Sequence, residues 1–188
     1  TAFQKTTLAL AASCAVLLSA APATAAVVNG SLSASDPTFN RVVVGCSPLS
    51  QVGTNAFYDV FNLSVSVTGG FDLSLTSAFD NTLTIYNGPF NPADATSNCL
   101  AYSDDFSGLN AGFNNLALAS GTSYFAVVSS FVNGATGDYT LSVVADQANT
   151  TGGVASLSPF NGSVPEPGTL ALLGLGLAGL AASRRRKQ

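Results

Sequence analysis

The strongest constraint on the fold is an alternation of apolar and polar side chains that starts near residue 57. Phe57, Phe61, Leu63, Val65 and Val67 share one parity, and asparagine, serine and threonine fill the other from residue 62 to residue 68. The same period of two returns over residues 71–76 and 82–86. Because successive side chains of a strand point to opposite faces of a sheet, the pattern predicts three half-buried β-strands. The Gly69-Gly70 pair predicts a turn that joins the first two as a hairpin.

Shorter strands are predicted on either side of these three. They cover residues 42–44, 99–102, 124–131 and 139–145, and segment 87–98, which carries two prolines and a glycine, is predicted to be a long loop. Short strands at intervals of about ten residues, without an amphipathic helix between them, are typical of two packed sheets. The sequence therefore predicts an all-β fold, an antiparallel jelly-roll-like β-sandwich over residues 26–145.

The order of apolar residues and turns between residues 57 and 145 resembles the bacterial pre-peptidase C-terminal domain. The resemblance rests on five stretches, residues 79–86, 90–92, 100–105, 118–124 and 137–141. That family is a jelly-roll-like β-sandwich appended to secreted enzymes or surface proteins. The resemblance implies a fold and does not imply a particular activity.

The C-terminal residues predict a membrane segment. An uncharged run of Leu, Ala and Gly precedes four cations, Arg184, Arg185, Arg186 and Lys187. Such a run partitions into a bilayer, and the cations remain on the cytoplasmic side. A transmembrane helix over residues 169–183 would be about 22 Å long, short of the ~30 Å hydrocarbon core, which favours a temporary anchor over a permanent one.

A proline-flanked acid, Pro165, Glu166 and Pro167, stands before this run. Together with the apolar span and the arginine cluster, it resembles the PEP-CTERM sorting signal over residues 164–188. The resemblance implies that an exosortase, an integral-membrane protease, recognises the element and releases the ectodomain. It also implies an inner-membrane-anchored precursor and delivery to the cell surface or extracellular matrix. Residues 146–163 are rich in Asn, Thr, Gly and Ser and are predicted to be a flexible linker.

The N-terminal residues 1–25 have the layout of a secretory signal peptide. Lys5 precedes an apolar stretch that would form the signal helix, and Ala23-Thr24-Ala25 supplies a small-residue cleavage site. Cys14 lies inside the apolar stretch, so it is expected to leave with the peptide. A lipoprotein cysteine is the alternative.

Removal of both signals leaves a strongly acidic domain. Residues 26–163 contain nine aspartates, one arginine and no lysine or histidine, for a formal charge of about −8. Such a surface repels phosphates, which excludes nucleic acid as a partner. Calcium ions or a neutral extracellular polysaccharide are the expected ligands.

Two cysteines, Cys46 and Cys99, remain in this domain. In an exported chain an isolated pair predicts a disulfide, and two free thiols are the alternative.

The residue types present exclude most enzyme mechanisms. Without histidine there is no Ser-His-Asp or Cys-His triad, and without lysine in the domain there is no Schiff-base chemistry. A glycosidase-like carboxylate pair remains, but the aspartates fall mostly at turns and strand ends. The protein is therefore predicted to be non-enzymatic and to need no cofactor, with Ca²⁺ as the one candidate ion.

Three aspartates are candidate Ca²⁺ ligands. Asp80, Asp104 and Asp105 would converge on one sheet edge, although turn aspartates more often cap backbone amides. Four aromatics, Tyr86, Phe90, Tyr102 and Tyr124, could form a sugar-stacking platform, but core packing is the favoured interpretation. The predicted function is an exported cell-surface or matrix protein associated with exopolysaccharide. The alternative is a Ca²⁺-dependent glycan-binding module.

Overall fold

The structure, a computed structural model, describes residues 24–160, and this part of the chain contains ten β-strands and no helix. The strands are β1 (Ala26–Leu32), β2 (Thr38–Phe39), β3 (Ala56–Val65), β4 (Gly69–Ser77), β5 (Asn81–Tyr86), β6 (Cys99–Ser103), β7 (Gly112–Leu118), β8 (Tyr124–Ser130), β9 (Gly137–Ala145) and β10 (Ala155–Pro159).

The strands form two sheets in which every pairing is antiparallel. One sheet has the order β1-β9-β4-β7, and the other has the order β10-β3-β8-β5-β6, with β2 also paired to β3. The predicted all-β, antiparallel architecture is confirmed for residues 24–160.

The main core lies between the two sheets. Every second residue of the long strands points into it, as the period-two pattern requires. Both sheets supply fully buried members, among them Leu63, Phe71, Leu73, Leu75, Leu83, Ile85, Ala126, Val128, Leu141 and Val143.

A second core covers the opposite face of the six-stranded sheet. Residues 33–55, which we call the cap segment, and the loop 87–98 fold across this face. Their Phe39, Val42, Phe90 and Ala95 pack on outward side chains of β3, β5 and β8. Strands β5 and β8 are consequently buried along their whole length.

The disulfide predicted between Cys46 and Cys99 is confirmed, with the two Cα atoms 5.8 Å apart. Cys46 lies in the cap segment and Cys99 begins β6. The bridge therefore ties the cap segment to the sheet that it covers.

The predicted hairpin of the first two alternating stretches is wrong. Strand β3 pairs with β8, β10 and β2, whereas β4 pairs with β7 and β9 in the other sheet. The Gly69-Gly70 turn thus passes from one sheet to the other. Each of the two strands buries its apolar face in the core between the sheets.

Other parts of the chain also differ from the sequence-based expectation. Strands β1, β2 and β7 were not predicted, and residues 42–44 form only an isolated bridge, Val42 with Leu49, instead of a strand. The predicted flexible linker 146–163 contains β10, which pairs with β3 from Ala155 to Pro159. Alternating Ala, Ser and Leu suit a short strand, and a proline is tolerated at the end of an edge strand. The sandwich therefore extends to Phe160.

The predicted sorting signal 164–188 and its transmembrane helix 169–183 lie outside the described residues, as does almost all of the predicted signal peptide 1–25. Within residues 24–160 no helix is long and apolar enough to cross a membrane.

Candidate functional site

A group of polar side chains and strand connections lies at one end of the sandwich. Three strand connections meet there, residues 78–80, 104–111 and 131–136, together with the cap segment. We call this the loop end. Backbone and side-chain hydrogen bonds link these parts, for example from Asn81 N to Leu109 O at 3.2 Å and from Asn55 N to Asn133 Oδ1 at 2.8 Å.

An open cavity of about 760 Å³ lies on the four-stranded sheet at the loop end. We call it the end cavity. It is formed by β1, β4 and β9, and its lining residues are Asn29, Gly30, Ser31, Thr76, Ser77, Asp138, Tyr139 and Thr140.

The strand register places the polar lining residues in rows. Thr140 lies opposite Asn29 on one side and Thr76 on the other, and Asp138 lies opposite Ser31. The Thr140 hydroxyl donates to Asn29 Oδ1 at 2.8 Å, which fixes the amide. Neighbouring strands are about 4.8 Å apart, so these groups form a regular ladder of hydrogen-bonding side chains.

Tyr139 closes the cavity on its inner side because Gly30 has no side chain. The two residues are paired in register, and a Cβ at residue 30 would overlap the tyrosine ring. The Tyr139 hydroxyl crosses the core and donates to Asp59 Oδ2 of β3 at 2.6 Å. The side chain thus joins the two sheets directly beneath the cavity.

Burial controls the acid–base properties of this pair. Desolvation is the main reason that the pKa of Asp59 is raised, and the negative charge of Asp36 adds to it, while the hydrogen bond from Tyr139 acts in the opposite direction. Burial, the bond to Asp59 and the charges of Asp59 and Asp36 all raise the pKa of Tyr139. Tyr139 therefore remains a neutral donor at physiological pH.

The three predicted Ca²⁺ ligands are brought into electrostatic range of one another at the loop end. Burial raises the pKa of Asp80 most, the charges of Asp105 and Asp104 raise it further, and Arg41 lowers it. One carboxylate oxygen of Asp80 is buried without a hydrogen-bond partner. Even so, the described residues include no group of three or more acidic, His or Cys side chains that could hold a metal ion. Calcium binding at this site stays a prediction.

Arg41 is the residue that the sequence analysis missed at the loop end. It is 1% exposed, and its Nε donates to Phe131 O at 2.8 Å while one terminal nitrogen donates to the Tyr102 hydroxyl at 2.6 Å. The guanidinium also lies 4.2 Å from the centre of the Phe131 ring. Arg41 thus joins the cap segment to β6 and to the β8–β9 connection. The sequence did carry one signal for Arg41, because it is the sole cation of residues 24–160.

The four aromatic residues considered for sugar stacking are all buried. Phe90 packs against Phe39, Tyr58 and Tyr86 in the second core, and the Tyr86 hydroxyl donates to Ala95 O at 3.0 Å. Tyr102 and Tyr124 are less than a tenth exposed. The core-packing interpretation is confirmed.

Residues 163–187 match the PEP-CTERM protein-sorting motif. The matched segment includes the six predicted signal residues Pro165, Glu166, Pro167, Arg184, Arg185 and Arg186. The motif supports a PEP-CTERM protein and indicates an exported chain that an exosortase processes for the cell surface from a membrane-anchored precursor.

No curated protein matches the chain significantly. The motif match does not reach the sandwich, so the resemblance of residues 57–145 to the pre-peptidase C-terminal domain stays a prediction.

Proposed function

We propose that the mature protein is a non-enzymatic component of the cell surface or extracellular matrix that binds exopolysaccharide in the end cavity. The observation that carries the proposal is the cavity itself, about 760 Å³ in volume and open to solvent, with a ladder of amide, hydroxyl and carboxylate groups. Such groups exchange hydrogen bonds with sugar hydroxyls, and an open shape admits the middle of a polymer as readily as its end.

The charge of the domain selects the kind of glycan. The one cation of residues 24–160, Arg41, is buried, so this part of the chain presents no positive charge to solvent. Asp138 lines the cavity, and Asp36 and Asp59 lie behind Tyr139. A uronate polymer would be repelled, whereas a neutral or amino-sugar polymer would not.

The affinity for one sugar segment should be low. The cavity offers no exposed aromatic ring, and exposed hydrogen bonds contribute little net free energy because water competes for them. A Kd in the millimolar range, about −4 kcal/mol, is expected for a short oligosaccharide. Several proteins held on one surface would bind a long chain more tightly through multivalency.

Affinity electrophoresis of the secreted protein tests the proposal. Gels contain a neutral glucan, an amino-sugar polymer or a uronate polymer, and we expect retardation by one or both of the first two only. Asn29→Ala combined with Thr140→Val should abolish the retardation. Asp94→Asn, a charge change in the loop 87–98, is the control and should behave as wild type. Equal retardation of wild type and the double variant would contradict the cavity assignment.

Ca²⁺-dependent glycan binding is the second candidate, and the observation that favours it is Asp80, which has an unpartnered buried carboxylate oxygen and lies within electrostatic range of Asp104 and Asp105. It predicts that millimolar Ca²⁺ raises the melting temperature, that Asp104→Asn weakens this rise, and that a chelator abolishes glycan retardation. Retardation that persists with chelator would reject Ca²⁺ dependence and leave the cavity proposal in place.

A further inference from the structure

The folded sandwich holds the chain close to its sorting signal. Strand β10 runs antiparallel to β3, with Pro159 opposite Phe61, and Phe160 N donates to Val60 O at 2.9 Å. The Phe160 ring packs edge-on against Phe125, with the ring centres 5.2 Å apart. The chain is therefore fixed to the sheet up to Phe160, only five residues before Pro165 of the sorting motif.

The short connection limits how far the sorting motif can stand from the sandwich. Five extended residues span at most about 18 Å. With β10 in place, Pro165 is therefore held within about 18 Å of Phe160, which leaves little room for a protease to enclose the segment.

We propose that β10 and Phe160 form a releasable strap, and that exosortase processing requires the strap to leave β3. The remaining attachment would then be Val154, whose N–H donates to Ser66 Oγ at 2.9 Å and whose carbonyl accepts from Ser66 N at 2.9 Å. Eleven residues separate Val154 from Pro165, a reach of about 40 Å when extended. Release therefore about doubles the distance that the sorting motif can travel from the sandwich.

Few buried side chains hold the strap on β3. It is an edge strand of five residues, and Ala155 is its one fully buried side chain, while Leu157 and Phe160 are half-buried. On the other side of β3, strand β8 is buried along its whole length. Edge strands with few buried contacts open locally at much lower cost than central strands.

A cross-strand disulfide tests the proposal in cells that carry the exosortase. Ser64 and Ser156 are exposed and lie opposite each other in register, so Ser64→Cys with Ser156→Cys should lock the strap in the exported chain. We expect the locked full-length precursor to be processed at least tenfold more slowly than wild type in a pulse–chase experiment. The single Ser156→Cys variant is the matched control and should be processed at the wild-type rate.

A flexible spacer distinguishes two causes of slow processing, a limited reach of the sorting motif and damage to the fold. Ten Gly/Ser residues inserted between Phe160 and Asn161 in the locked variant should restore wild-type processing, because the motif regains its reach. Processing of the locked variant within twofold of wild type, with the new disulfide verified in the product by mass spectrometry, would overturn the proposal. Failure of the spacer to restore processing would also overturn it. If wild type itself is not processed and Glu166→Ala changes nothing, the sorting assignment fails instead.

Discussion

Replacement of both bridge cysteines, Cys46→Ser with Cys99→Ser, should remove about 4 kcal/mol from the free energy of unfolding. The two residues are 53 positions apart in the chain, and the loop-entropy relation gives about 14 cal/mol/K for a closed loop of that size. At about 3 °C per kcal/mol for a domain of this length, the melting temperature should fall by roughly 12 °C.

Urea unfolding followed by circular dichroism measures the loss, with the wild-type protein under reducing conditions as the control. The reduced wild type and the double variant should unfold at the same urea concentration, since both lack the same crosslink. The physical reason is that the bridge restricts the unfolded chain and holds the cap segment, with Phe39 and Val42, on its sheet. A loss below about 1 kcal/mol would refute this reasoning and would mean that packing alone holds the cap segment.

Three further predictions follow from buried groups at the loop end. Arg41→Lys should lower the free energy of unfolding by about 2 kcal/mol in urea titrations, because a lysine cannot reach Phe131 O and the Tyr102 hydroxyl together; an unchanged midpoint would contradict this. The pKa values of Asp59 and Asp80 are higher in the folded protein than in the unfolded chain, where they lie near 4. The free energy of unfolding should therefore fall as the pH rises from about 4 through the folded pKa values. Asp59→Asn should reduce that slope, and equal slopes for variant and wild type would be inconsistent with the raised pKa. Gly30→Ala should destabilise by roughly 1–3 kcal/mol through overlap with Tyr139, and Tyr139→Leu in the same chain should recover part of the loss, which a double-mutant cycle detects.

The strands that could be predicted are those with a complete apolar face. Alternation identifies which side chains of β4 and of the second half of β3 are buried, because the core accepts only one parity. It fails for β5, where the predicted half-buried strand is buried on both faces because the second core covers its outer side. It does not identify the partner strand, and so the β3–β4 connection was assigned to a hairpin when it passes between the sheets. Strand β1 was missed because Asn29-Gly30 in its middle has the composition of a turn, whereas the glycine is needed there to admit Tyr139.

The site was only partly predictable for a related reason. The acidic residues Asp80, Asp104 and Asp105 could be placed at one edge because turns and strand ends are visible in the sequence. The end cavity could not be predicted, since it depends on the register of β1, β9 and β4, which no local pattern specifies. Arg41 was passed over because a single arginine is usually a surface residue, and its burial depends on distant partners in β6 and the β8–β9 connection.

Intact-mass spectrometry of the protein released from cells shows whether the chain is an exported substrate of an exosortase. We expect a species that begins near Ala26, lacks residues 169–183 and carries the Cys46–Cys99 bridge, seen as a gain of about 2 Da on reduction because two hydrogens are added. In cells without the exosortase, the full C-terminal segment should be retained in the membrane fraction. A released species that still contains Arg184, Arg185 and Arg186, or identical masses with and without the exosortase, would contradict the claim.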